Sequence, residues 1–170
     1  MTLLETVVAL GILLVIGSGL VAVAAVGILS TENQGHLSAR AAEYAQDKCE
    51  QLVSLSYSDV VSDTTQFPAC APPTCTNGTG LAVGGSSDPS NPVAGYVDYL
   101  DITGNPMALG AGGAAPNGWY YIRAWQISTP AGCSNLKQLT VTARAAYNVG
   151  GNNSGTVTQA TVSSLKTSPY

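Results

Sequence analysis

Glu5 is the residue whose chemistry most needs a partner. It stands near the start of an apolar run through Val7, Val8, Leu10, Ile12, Leu13, Leu14, Val15 and Ile16 to Ile28 and Leu29, and no side chain between Glu5 and Glu32 carries a charge. At ~1.5 Å per residue, a helix of that length crosses the ~30 Å hydrocarbon core of a bilayer. A carboxylate in such a helix costs at least ~2 kcal/mol unless a cation pairs with it. No Lys or Arg precedes Arg40, so the natural partner is the α-amino group of another copy. The expectation is self-assembly: apolar helices bundle side by side, and Glu5 registers each new subunit against the amine of Met1 on its neighbour.

Cysteine supplies the second kind of chemistry. Cys49, Cys70, Cys75 and Cys133 all lie beyond the apolar run. An even number in a small exported domain argues for two disulfides and a periplasmic or extracellular compartment. The Cys70-Ala-Pro-Pro-Thr-Cys75 spacing is too wide for a tight zinc knuckle, so no metal is expected.

Catalysis finds no footing. The chain has no nucleophile and base arrangement and no paired-carboxylate motif, and its sole histidine, His36, reads as a solvated helix residue near the membrane exit. Neither an enzyme nor a cofactor is expected. Arg40, Lys48, Arg123, Lys137, Arg144 and Lys166 are the only basic side chains besides His36 and make no basic patch, so nucleic acid is not indicated as a partner. Gly110-Ala-Gly-Gly113 lacks the Lys-Ser/Thr of a phosphate loop and reads as a flexible turn. Asn77-Gly78-Thr79 and Asn152-Asn153-Ser154 fit the N-glycosylation pattern but read as polar turns.

The elements that must position these residues follow from patterning. Of 170 residues, 45% are hydrophobic and 9% charged, with net charge -4. Setting aside the apolar segment leaves one small domain whose modest core would gain from disulfides. Residues 1–55 read as one helix, apolar at first and amphipathic later. Gly17-Ser18-Gly19 marks a place where it would bend or unwind, or where small residues let neighbouring helices approach closely. Leu37, Ala41, Ala45, Cys49 and Leu52 then form an inward stripe, with Arg40, Glu43, Asp47 and Glu50 on the other side.

Residues 56–170 read as a globular domain. A long loop rich in Ser, Thr, Gly, Pro and Asn spans 56–94. Four strands follow at Tyr96–Ile102, Trp119–Ser128, Leu136–Tyr147 and Thr156–Leu165. In the third, Leu139, Val141, Ala143, Ala145 and Tyr147 face one way and Gln138, Thr140, Thr142 and Arg144 the other. The fold class expected is α+β: a long N-terminal helix packed on a small antiparallel meander.

At its N-terminus the chain resembles a known family. Met1-Thr-Leu-Leu-Glu5 followed by Val7-Val8-Ala9-Leu10-Gly11-Ile12-Leu13 is similar to the mature start of type IV pilins and of the pseudopilins of type II secretion. The resemblance implies cleavage by a prepilin peptidase just before Met1, methylation of the new amine, and a role in assembly for Glu5. It implies a subunit held in the inner membrane, then polymerised by pilus machinery into an extracellular homopolymer for adhesion, motility or uptake. Two departures bear on the kind of subunit. Position 1 is Met where Phe is commonest, and position 22 is Ala where many major pilins carry proline. Both are closer to certain minor pilins and minor pseudopilins. An anchored binding module, whose helix is only a tether, would leave Glu5 without a use.

Overall fold

The computed structural model describes residues 2–57, 81–110, 114–146 and 157–168, apart from the side chains of Leu29, Ser30 and Asn33. One helix, α1, runs Leu3–Ser54. The chain divides into two compact units, Met1–His36 and Leu37–Tyr170.

The first unit is helical throughout its described length after Thr2. The Thr2 carbonyl accepts the Glu5 and Thr6 amides at 3.0 and 3.4 Å, which starts the helical hydrogen-bond series. Helix is continuous through Gly17, Ser18 and Gly19. A glycine costs about 1 kcal/mol in a helix interior, too little to outweigh the favourable residues on both sides. Ser18 also donates back to the Val15 carbonyl at 2.9 Å, a bond that keeps its side chain within the helical backbone. Nothing lies within 4 Å of where a side chain would begin at Gly11, Gly17, Gly19 or Gly27.

The second unit packs the end of α1 on a six-stranded antiparallel sheet. Its strands are β1 (Gly84–Gly85), β2 (Val97–Leu100), β3 (Pro106–Met107), β4 (Tyr121–Ser128), β5 (Leu136–Ala145) and β6 (Gln159–Thr167). The order is β3-β2-β4-β5-β6, and β1 continues the β2 side of β4 by pairing Gly84 with Ile127 and Gly85 with Gln126. The four expected strands are therefore neighbours in chain order, as a meander requires. The two shortest, β1 and β3, fall where the sequence reads as loop, because two-residue strands leave no alternation to detect.

Alternation decides which face is core. Leu139, Val141, Ala143 and Ala145 are fully buried, and in register with them stand Ile127, Trp125, Arg123 and Tyr121 of β4. The helix stripe meets this face with Ala41, Ala45, Cys49 and Leu52, and Leu37 packs at its margin. On the opposite face Val97, Tyr99 and Ile122 form a smaller cluster with Trp119. That side is partly roofed: Arg144 reaches Ser90 Oγ at 2.7 Å and the Pro89 carbonyl at 3.3 Å, so it holds the 86–95 loop. Two glycines are required by close approach. A side chain at Gly85, where φ is +83°, would strike the Trp125 carbonyl and the Tyr96 ring, and one at Gly104, where φ is +90°, would strike the Tyr44 ring.

Candidate functional site

Glu5 sits in the first turn of α1. The helix N-terminus favours an acid there by roughly 0.3–1 kcal/mol, which offsets only part of the cost of holding a carboxylate in lipid. Around it, the 26-residue stretch Leu3–Ile28 reaches a mean hydropathy of 2.7 over an 18-residue window, and none of it is buried. That is long and apolar enough to cross a membrane, a test that a signal sequence also passes. Among the described residues no ion pair involves Glu5. Met1, its expected partner on a second copy, lies outside the described residues.

The second unit handles charge in the opposite way. Lys48 and Arg123 are almost wholly buried, and both turn to Asp98. Lys48 Nζ lies 3.1 Å from Asp98 Oδ2. Arg123 donates Nε to Oδ1 and Nη2 to Oδ2 of the same carboxylate, each at 2.7 Å, and its Nη1 reaches Asp47 on the helix at 2.9 Å. The Lys48 ammonium also sits 4.2 Å from the centre of the Trp125 ring. The fork-shaped pair Arg123–Asp98 thus ties β4 to β2, and single charge-assisted contacts, Lys48 to Asp98 and Arg123 to Asp47, tie the helix to the sheet. Burial pushes the Lys48 ammonium below its ordinary range, with Asp98 opposing that fall. Burial also works against the charge on Arg123, but the two aspartates outweigh it and hold the guanidinium above its usual value.

Sequence reasoning left Lys48 and Arg123 unassigned, although the signal was present. Ala41, Ala45, Lys48 and Leu52 follow helical steps, which puts Lys48 on the inward stripe. Arg123 shares the parity of Tyr121, Trp125 and Ile127, so it stands on the core face.

The end of α1 is closed by β6. No basic residue lies in the helix's last turn, but Lys166 donates to the Val53 carbonyl at 2.6 Å and to the Leu55 carbonyl. Its register partner Lys137 donates to the Tyr57 carbonyl at 2.8 Å and to the Leu81 carbonyl. Two ammonium groups thereby meet carbonyls at and beyond the negative end of the helix. Burial lowers the pKa of both, and for Lys137 the neighbouring Lys166 charge adds to the effect.

The expected disulfides do not include Cys49 or Cys133. Cys49 is buried on the helix stripe, whereas Cys133 is exposed in the β4–β5 turn, and both are free thiols. The stripe does place Cys49 inward, in a core cluster that includes no residue of that turn. Burial raises the Cys49 thiol pKa. Cys70 and Cys75 lie outside the described residues, as do both glycosylation-pattern triplets. His36 is exposed and 4.0 Å from Glu32, one turn away. Among the described residues no group of His, Cys, Asp or Glu is placed to hold a metal.

Comparison with protein-family models, with curated proteins and with solved structures returns no match to this chain.

Proposed function

We propose that this chain is a structural subunit of a type IV pilus: it waits in the inner membrane and polymerises through its N-terminal helix into an extracellular helical filament. One observation carries the reading. A 26-residue apolar helix with no buried residue contains a single carboxylate, in its first turn. A tether gains nothing from that charge. A neighbour's amine would neutralise it and set the register of a bundle. The second unit supports the same use, because a sheet bonded to the end of the helix gives a filament a folded surface around an apolar core. The resemblance of Met1–Leu13 to pilins adds to this argument.

The second reading is a minor pilin or a type II secretion pseudopilin. It is favoured by Ala22 in a helix that runs without interruption from Leu3 to Ser54. The two readings differ in where the polymer goes and how much of it there is.

Glu5→Ala and Glu5→Lys test the shared premise. Each variant is expected to stay in the membrane fraction at wild-type level and to vanish from filaments sheared off the cell. Wild-type quantities of sheared filament from Glu5→Lys would overturn the proposal. Mass spectrometry of the sheared material would separate the readings, since the bulk protein is a major pilin and a trace component is a minor one. A chain found only in the inner membrane points to the secretion machinery.

A further inference from the structure

A backbone amide that loses its proton to hydroxide can attack the side-chain carbonyl carbon of an asparagine just before it. The fold decides which asparagines meet the conditions. The next residue needs an N–H, that N–H must not be committed to a hydrogen bond, and the approach must be uncrowded.

Among the described asparagines these conditions select one. Asn91 and Asn105 each precede proline, which has no N–H to give. Asn33 lies inside α1, where the next amide belongs to the helical hydrogen-bond series. Asn135 precedes Leu136, whose amide donates to the Cys133 carbonyl at 3.2 Å and whose strand is paired to β6. Asn117 differs on every count. Its successor is Gly118, and both residues are exposed in a turn. Gly118 takes a φ of +76°, with nothing within 4 Å of where a side chain would begin. Among the described residues no hydrogen bond holds the Asn117 side chain or the Gly118 amide. The turn spans two anchored points: the Gly110 amide donates to the Ala114 carbonyl at 2.9 Å, and the Tyr120 amide to the Leu100 carbonyl at 2.8 Å. Asn77-Gly78 shares the dipeptide but lies outside the described residues.

We propose that Asn117 is a self-modification site, at which the Gly118 nitrogen closes on the Asn117 side-chain carbon and a neutral amide becomes a carboxylate. The Gly118 N–H gives its proton to hydroxide, a new N–C bond forms, and the C–NH2 bond breaks as ammonia leaves with a proton from water. Water then opens the cyclic imide. Cleavage of the bond to the side-chain carbon leaves an aspartate, and cleavage of the bond to the backbone carbon leaves isoaspartate, in which the chain runs through the side chain. The balance is one water taken up and one ammonia released. Either product adds a negative charge to a chain of net charge -4. Isoaspartate also lengthens the backbone just ahead of Trp119, which packs against the Val97, Tyr99 and Ile122 cluster and meets the Tyr99 ring edge-on at 5.4 Å. The site is independent of the pilus reading.

Peptide mapping of the full chain, held in detergent in neutral buffer and sampled over days, tests it. The peptide containing Asn117 is expected to gain the mass of an amide-to-acid exchange and to split into two products, one of them labelled by isoaspartyl methyltransferase. Peptides containing Asn91, Asn105 and Asn135 are expected to stay unchanged. A synthetic peptide of residues 114–121 gives the rate without the fold, and the folded chain is expected to react within about tenfold of it. A slower rate would mean that the fold adds more than about 1.4 kcal/mol to the barrier, and it overturns the proposal. Asn117→Gln keeps the amide but enlarges the ring that must close, so it is expected to end the conversion and leave the denaturant midpoint where it was. An undiminished mass gain in Asn117→Gln, or conversion at Asn135 ahead of Asn117, overturns the proposal as well.

Discussion

Three carboxylates separate the regions of this molecule. Glu5 lies in an apolar helix with no cation before Arg40, Asp98 lies under the sheet with two buried cations on it, and Asp101 lies at the surface among amides and hydroxyls of its own turn. Asp98 is satisfied within its own unit, whereas among the described residues no ion pair involves Glu5. An acid without a partner in an apolar segment is a reason to assemble, whereas an acid with partners on all sides is a reason to hold one register. Removing each partner should therefore have unlike consequences: loss of assembly for Glu5, and loss of stability for Asp98.

The largest stability effect is expected for Asp98→Ala. It strands Lys48 and Arg123 in the core, and breaking a buried charged pair by removing one partner costs roughly 3–5 kcal/mol. Denaturant unfolding of the full chain in detergent, followed by Trp125 fluorescence, should show the midpoint fall accordingly. A loss under about 1 kcal/mol would mean that solvent reaches the pair, since exposed ion pairs are worth no more than that. The contrast with Glu5 would then lose its force.

Lys48→Met sharpens the same comparison with a smaller effect. It removes a buried charge and leaves an apolar chain of similar length on Trp125, while Asp98 retains both bonds from Arg123. Stability is expected to change by less than about 1.5 kcal/mol, in either direction, because replacing a buried ion by a packed apolar group is often neutral. A loss as large as that of Asp98→Ala would assign the register to Lys48 rather than to Arg123.

Much of this arrangement was legible in the sequence, because periodicity survives wherever an element is long. The stripe Ala41, Ala45, Cys49 and Leu52 and the alternation Leu139, Val141, Ala143 and Ala145 each turned the same face to the core that their spacing implied. What was not legible was pairing between distant elements. Asp98 with Arg123 spans 25 positions and Lys166 with Leu55 spans 111, and nothing local marks either partner. The same gap misled the cysteine assignment. Cys49 was rightly placed inward, but a stripe says nothing about which turn lies opposite it.

Asp101 gives the last and smallest test, and the only one that pH reads directly. The Thr103 hydroxyl and the Asn105 amide hold its carboxyl down to about 2, against an ordinary 3.8. A carboxyl with a depressed folded-state pKa contributes its stability above the unfolded value and loses it as pH falls through the folded one. The turn should thus keep its form throughout the neutral and mildly acidic range and loosen only between about 3.8 and about 2. NMR titration of the Asp101 side-chain carboxyl is expected to give a midpoint near 2, and Thr103→Ala should move it toward the ordinary value by removing the largest of the donors. A wild-type midpoint at the ordinary value would show the donors pointing elsewhere in solution. Ile102 would then ride on a loose turn. The three carboxylates would in that case reduce to two kinds, with Asp98 alone fully satisfied inside its own chain.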